Sequence, residues 1–153
     1  TLWEPRNAPY FVDGALYVEG ATFAPAPGTV FVFAEGSGMV VSDGGTLSSV
    51  GTAQSPVIFT GAAEVPGAWG GLVFTGASPN SRLEYTGVAY GGGGTIYEGS
   101  VTVAYQDALY MANSAVWGSG GYGVCADSAA ILTQGPGNVF RDNALGDVNT
   151  ACD

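Results

Sequence analysis

Valine-rich segments of about five residues, separated by glycine-bearing turns, recur along this chain from Leu16-Tyr17-Val18 to Asp147-Val148-Asn149. Aligning Leu16, Met39, Leu72, Val101, Val124 and Val148 gives steps of 23, 33, 29, 23 and 24 residues, within the range where self-similarity marks a solenoid. The period predicts a parallel β-helix of about five to six coils. The 26 glycines and eight prolines place a breaker between nearly every pair of apolar segments. No helix-length periodic stretch is left, so the chain is expected to be all-β. Strands are expected at Ala15–Glu19, Thr29–Ala34, Met39–Ser42, Thr46–Ser49 and Pro56–Thr60, and then in a series from Leu72–Thr75 to Asn138–Phe140. Turns fall at Pro27-Gly28, Gly36-Ser37-Gly38, Asp43-Gly44-Gly45 and Pro66-Gly67, and Gly91–Gly94 reads as a flexible loop.

Residues 1–14 break this pattern: Trp3, Pro5, Pro9, Tyr10 and Phe11 supply bulk without alternation. They read as an irregular N-terminal cap, because an open stack exposes apolar core and unpaired strand edges. The expected organisation is a cap over 1–14 and a single β-helix domain over 15–153. At 153 residues and 46% apolar composition, one domain has enough material for a core. No apolar run nears the roughly 18 residues that span a bilayer. With no charged-then-apolar leader ahead of Thr1, the chain reads as a mature exported product or an excised domain.

Charge narrows the choice of partner. Thirteen acidic residues face three arginines, Arg6, Arg82 and Arg141, with no lysine or histidine, giving a net charge of −10. Nucleic acids and anionic lipid surfaces both require clustered Lys/Arg, so neither is an expected partner. The acids are spaced singly from Glu4 to Asp153. They read as a solvated, aggregation-resistant surface, with divalent-cation binding as the other reading.

Cys125 and Cys152 lie 27 residues apart, close to one coil, and residues one coil apart are neighbours in a stacked solenoid. A disulfide would tie the last complete coil to the C-terminal strand, which suits an oxidising, extracytoplasmic compartment. Two free thiols in a reducing compartment are the alternative. Zinc fits poorly, since there is no histidine and no second cysteine pair.

The segment Gly45-Gly-Thr-Leu-Ser-Ser-Val-Gly-Thr-Ala-Gln-Ser-Pro-Val-Ile-Phe-Thr60, continued by Pro66–Phe74 and Ser81–Tyr90, resembles right-handed parallel β-helix repeat proteins of bacterial surfaces and secreted bacterial proteins. Asn113–Val124 and Gly137–Asn143 are similar to the final coils of that family. The resemblance runs from about Ala15 to Val148. It implies a right-handed helix, in keeping with the general crossover preference. It says little about function, because the fold carries adhesins, tail fibres and polysaccharide-active enzymes alike.

Several residues carry two readings. Trp69, in Gly-Ala-Trp-Gly-Gly, packs over a corner between coils or stacks on sugar, and packing is the simpler. Asn138 and Asn143 read as turn residues that tolerate left-handed geometry, with Phe140 and Leu145 filling the core end. Tyr85, Tyr90, Tyr97, Tyr105 and Tyr110 fall within one 26-residue window with Glu84, Glu98 and Asp107. Rings that stack on sugar faces beside carboxylates that accept hydroxyl protons suit a glycan-binding surface. Equally, alternate tyrosines simply cover the outside of a β face. Tyr85, Tyr90, Tyr105, Glu84, Glu98 and Asp107 are the ligand-binding candidates.

Residue supply limits catalysis. Without histidine or lysine, Ser-His-Asp, Cys-His, Ser-Lys and Schiff-base mechanisms are impossible. Carboxylate-based glycoside hydrolysis survives. Asp107, Asp127 and Asp147 sit at +6, +3 and −1 from their aligned core positions Val101, Val124 and Val148, so they should not form one ladder. The adjacent aspartates with histidine of β-helix pectin hydrolases are absent. A site similar to that of pectate lyases would need calcium-binding acids and Arg82 or Arg141 as base, yet Glu84 beside Arg82 is explained by a surface ion pair. Ranked Thr-x-Thr and Gly-Gly-x-Gly-x-Asp series are absent, which argues against ice binding and calcium nonapeptide repeats.

The expected protein is a secreted or cell-surface β-helix with a structural or adhesive role, presenting a rigid acidic face to a protein or glycan. The competing expectation is a polysaccharide-active or glycan-binding module. No catalytic residue and no cofactor are assigned, calcium being the only one left open by the acids.

Overall fold

The computed structural model describes residues 2–3, 8–76, 79–94 and 98–152, with the backbone alone for Leu2 and Trp3. The chain winds through six coils of three strands each. The first holds β1 (Leu2–Trp3), β2 (Tyr10–Val12) and β3 (Ala15–Glu19), and the second β4 (Thr22–Pro25), β5 (Val30–Phe33) and β6 (Gly38–Ser42). The third holds β7 (Thr46–Val50), β8 (Val57–Gly61) and β9 (Leu72–Thr75), and the fourth β10 (Arg82–Glu84), β11 (Thr86–Ala89) and β12 (Gly99–Ala104). The fifth holds β13 (Ala108–Ala112), β14 (Ala115–Trp117) and β15 (Tyr122–Ala126), and the sixth β16 (Ile131–Gln134), β17 (Val139–Arg141) and β18 (Gly146–Asn149). The first strands of all coils pair in parallel as sheet I, the second as sheet II and the third as sheet III, each six strands wide. This is a right-handed parallel β-helix. No helix among the described residues is long and apolar enough to cross a membrane.

The alignment of six apolar positions is the register of sheet III. Leu16 pairs with Met39, Met39 with Leu72, Leu72 with Val101, Val101 with Val124, and Val124 with Val148. The uneven steps arise at corners: residues 51–56 and 62–71 lengthen the third coil, and the segment between β11 and β12 lengthens the fourth. Extra residues are accommodated there because a corner, unlike a strand, has no fixed ladder partner at every position.

The boundary expected at residue 14 moves toward the N-terminus. Tyr10–Val12 is already ladder, paired with Phe31–Phe33, and the stretch read as irregular therefore contains strands of the first coil. Alternation is invisible in three residues flanked by proline and glycine, so only the partner strand identifies it. β4 escaped notice for the same reason, being short and ending on Pro25. Of the cap residues, Pro5 and Arg6 lie outside the described residues, as does Tyr97 of the tyrosine window.

Inward-facing side chains form vertical columns. On sheet II, Tyr10 stacks on Phe31 at 5.5 Å and Phe31 on Phe59 at 5.1 Å, and Val88, Val116 and Phe140 continue that column. Trp69 enters the same core from the 62–71 corner. It is 1% exposed, stacks on Phe33 at 4.1 Å and donates its indole N–H to the Ala89 carbonyl at 2.7 Å. The packing reading of Trp69 holds, and the indole has no face free for a sugar. At the far end, Leu132, Phe140 and Val148 pack half-buried against the core. Leu145, expected to fill that end, is instead 55% exposed, because it sits in the corner between β17 and β18.

Side-chain oxygens tie the corners together. Ser49 and Thr86 hydroxyls bond at 2.7 Å, Ser114 Oγ accepts from Thr86 N–H, and Asn138 Oδ1 accepts from Ser114 N–H. At the next corner Asn143 Oδ1 accepts from Ser119 N–H, while its amide donates to the Val116 carbonyl. Asn138 and Asn143 are turn residues as expected, but neither has a positive φ. Besides glycines, the left-handed positions among the described residues fall on Tyr85, Tyr90, Tyr105, Gln106, Asn113, Asp43 and Asp142. The two asparagines serve as bridges between coils, satisfying backbone groups that would otherwise be buried without partners.

Cys125 and Cys152 form a disulfide across 27 residues, with Cα atoms 5.8 Å apart. Reducing it is expected to destabilise the domain by about 3–4 kcal/mol in the chain-entropy model. Intact mass after alkylation should show two added groups only when reductant precedes alkylation, and denaturant titration of both forms gives the stability difference. Trp69→Ala, which empties the corner and strips the Ala89 carbonyl of its donor, should cost about 3–5 kcal/mol in the same titration.

Candidate functional site

The tyrosine-rich window does not form one face. Tyr85 stands at the corner between sheets I and II, Tyr90 at the corner between II and III, and Tyr105 at the corner between III and I. A window of 26 residues is nearly one coil, so its members are carried round the whole perimeter. Glu84 and Tyr110 stay together on the outer face of sheet I, where Arg82 pairs with the Glu84 carboxylate and lies 5.5 Å from the Tyr110 ring. This is the surface ion pair expected from their spacing. Glu98 is exposed ahead of β12, and Tyr105 is 70% exposed with its N–H donated to Asp127 Oδ2. Asp107 is 6% exposed, which withdraws it from any open sugar-binding surface.

The acids are similarly dispersed. Asp107 and Asp127 occupy successive levels of the corner between sheets III and I, whereas Asp147 projects from β18 and accepts from the Asn143 amide. They form no single ladder, in line with their offsets. Among the described residues there is no group of three or more acidic, cysteine or histidine side chains able to hold a metal ion.

The outer face of sheet II carries two columns with little charge, as does the outward column of sheet III from Tyr17 to Asn149, in contrast to sheet I with Arg82 and Glu84. On sheet II one column runs Val30, Ile58, Gly87, Ala115, Val139, and the adjacent one runs Phe11, Val32, Thr60, Ala89, Trp117, Arg141. A single charge, at the end of the second column, interrupts two columns of apolar or small side chains. Gly87 makes room for Trp117: a Cβ there would lie 3.0 and 3.1 Å from the indole Cζ3 and Cη2 and 2.7 Å from Ile58 Cδ1. The indole therefore rests against the strand below it, and the Arg141 guanidinium lies 5.4 Å from its centroid on the other side. Arg82 and Arg141, the two arginines considered as bases, thus sit on different sheets, each against an aromatic ring.

Where this face meets the corner toward sheet I there is a hollow of about 310 Å³. Tyr85, Trp117, Gly87, Ala115, Thr52 and Asn113 are among the residues that line it. Tyr85 alone of the sequence candidates reaches it. Trp117, Thr52 and Asn113 were not singled out from the sequence, although a signal was present. A lone glycine inside a strand marks a close approach, and Trp117 lies two positions past the residue one coil above Gly87.

No curated protein and no solved structure matches this chain. A family model described as a pectate-lyase-like beta-helix domain matches residues 2–124, covering the first four coils and most of the fifth, and the sheet register described above continues unbroken past that limit to Asn149. With four-fifths of its length matched and the coils stacked as that fold requires, the chain belongs to the pectate-lyase-like beta-helix domain family.

Proposed function

We propose that this chain is a non-enzymatic extracellular β-helix domain, an adhesion scaffold that presents a rigid, net-acidic surface to a protein or glycan partner. The outer face of sheet II carries this reading. Its column from Val30 to Val139 holds no charge over five coils, on a chain whose net charge is −10. A continuous uncharged strip of this kind is a contact surface, and the acids around it discourage self-association. The Cys125–Cys152 bridge suits an oxidising extracellular setting.

The family description favours a second reading, a polysaccharide-active module. Glycoside hydrolysis needs two carboxyl groups about 5–10 Å apart on either side of one bond. Glu84, Glu98 and Asp107 lie on a sheet face, in an exposed segment and in a buried corner, a dispersal that does not favour their acting as such a pair.

The test combines an array of glycans and extracellular-matrix proteins with a turnover assay on neutral and acidic polysaccharides, with and without calcium. The domain is expected to be retained on the array without releasing new reducing ends or unsaturated products. Val139→Lys, a charge placed on the strip, should weaken retention about tenfold, roughly 1.4 kcal/mol. Any calcium-dependent or calcium-independent cleavage overturns the scaffold reading, as does retention that Val139→Lys leaves unchanged.

A further inference from the structure

We infer that the sixth coil is a cap locked by the Cys125–Cys152 disulfide, which a thiol reductant attacking at Cys152 opens while the coils before it stay folded. The opening stands on geometry alone, and its consequence for the outer face of sheet II rests on the scaffold reading.

The place of the bridge is the first observation. Cys125 lies in β15 and Cys152 follows β18, so the loop that the disulfide closes holds β16, β17 and β18 and no strand of an earlier coil. Its two ends meet on sheet III, where Asn149 pairs with Cys125 and the Cys152 N–H donates to the Ala126 carbonyl. With both ends pinned, the sixth coil cannot peel from the fifth as a free tail. The family match stops at Val124, so the lock and the coil it holds both lie outside it.

The second observation is how little else holds that coil. β16, β17 and β18 are each the last strand of their sheet, with a ladder on one side only. Leu132, Phe140 and Val148 are half-buried, whereas Leu109, Val116 and Val124, their partners in the fifth coil, are fully buried. The Asn138 and Asn143 bonds and the contact of Arg141 with Trp117 fix the register of the coil but close no loop. A solenoid unit is held by its neighbours, so a terminal unit with one neighbour opens at lower cost than those inside.

Access sets the chemistry. Cys125 is 3% exposed and Cys152 half-buried, so an incoming thiolate reaches Cys152 Sγ first. It forms a mixed disulfide there, and Cys125 Sγ leaves with the electron pair and takes up a proton. A second thiol of the reductant then attacks the reductant sulfur of that mixed disulfide, releasing Cys152 as a thiol and the reductant as a disulfide. Two electrons and two protons pass to the protein. The freed coil uncovers Leu109, Val116 and Val124 and the strand edges of β13, β14 and β15, which are templates for pairing. It also carries Val139 off the uncharged strip and Arg141 off the Trp117 ring.

Amide hydrogen exchange of the 153-residue chain, followed by mass spectrometry with and without dithiothreitol, tests the cap. Reduction is expected to speed exchange in β16 to β18 about 100-fold or more, the scale set by the entropy of the closed loop. In the reduced chain those strands should exchange at least about tenfold faster than β5 to β12. A brief pulse of glutathione, quenched by alkylation, should leave its adduct on Cys152. The double variant Cys125→Ser/Cys152→Ser should exchange like the reduced chain whether or not dithiothreitol is present, which assigns the effect to the bridge. Protection of β16 to β18 that survives reduction overturns the inference, as does loss of protection in step with β5 to β12, or a glutathione adduct on Cys125. The two readings fail separately. Unchanged protection, with array retention lost in Val139→Lys, removes the cap and keeps the scaffold. Opening of the sixth coil that leaves array retention untouched keeps the cap and removes the strip as the contact surface.

Discussion

Every strand in this molecule hydrogen-bonds to the strand one coil away, and that ladder constrains everything else. A residue's neighbours are set by its position within the coil, so each position must suit the residues directly above and below it. Tyr10, Phe31 and Phe59 stack because they share one inward position. Val30, Ile58 and Val139 make a contact strip because they share one outward position. In a parallel sheet such columns are continuous, and a single property repeated at coil spacing becomes a surface.

Corners escape the constraint in part, and the individuality of this chain sits there. Extra residues in the third and fourth coils are absorbed at corners, and one of these insertions delivers Trp69 to the core. Backbone groups that leave the ladder at a corner still need partners. Ser49, Thr86, Ser114, Ser119, Asn138 and Asn143 meet that need through bonds that run between coils. The left-handed tyrosines are corner residues too. Only where the ladder lapses can the chain adopt the φ values that set Tyr85 beside Trp117.

The fold was legible in the sequence because its signal is one-dimensional. Apolar residues at coil spacing identify the inward column of sheet III to the residue, from Leu16 to Val148, and the spacing of Cys125 and Cys152 anticipates their bond. The first coil was less legible, since β2 offers too few residues to show alternation and is defined by its pairing with β5. The tyrosine window was misleading in a related way. Nearness in sequence groups residues on a straight strand or a helix face, but here a stretch of 26 residues almost circles the axis, and Tyr85, Tyr90 and Tyr105 end at three corners.

The sequence alone therefore determined the repeat, the all-β class, the one-coil spacing of the two cysteines and the chemistry that a chain without histidine or lysine cannot perform, because each depends on residue type or spacing along the chain. The tertiary structure decided which side chains share a surface. Gly87, Trp117 and Tyr85 span 33 positions of sequence, yet they form one hollow, because the coil brings residues about 28 apart into register and the missing Cβ of a glycine lets an indole lie across it. Composition cannot encode that meeting, since it follows from the length of the coil that separates them and from the corner at which the backbone turns.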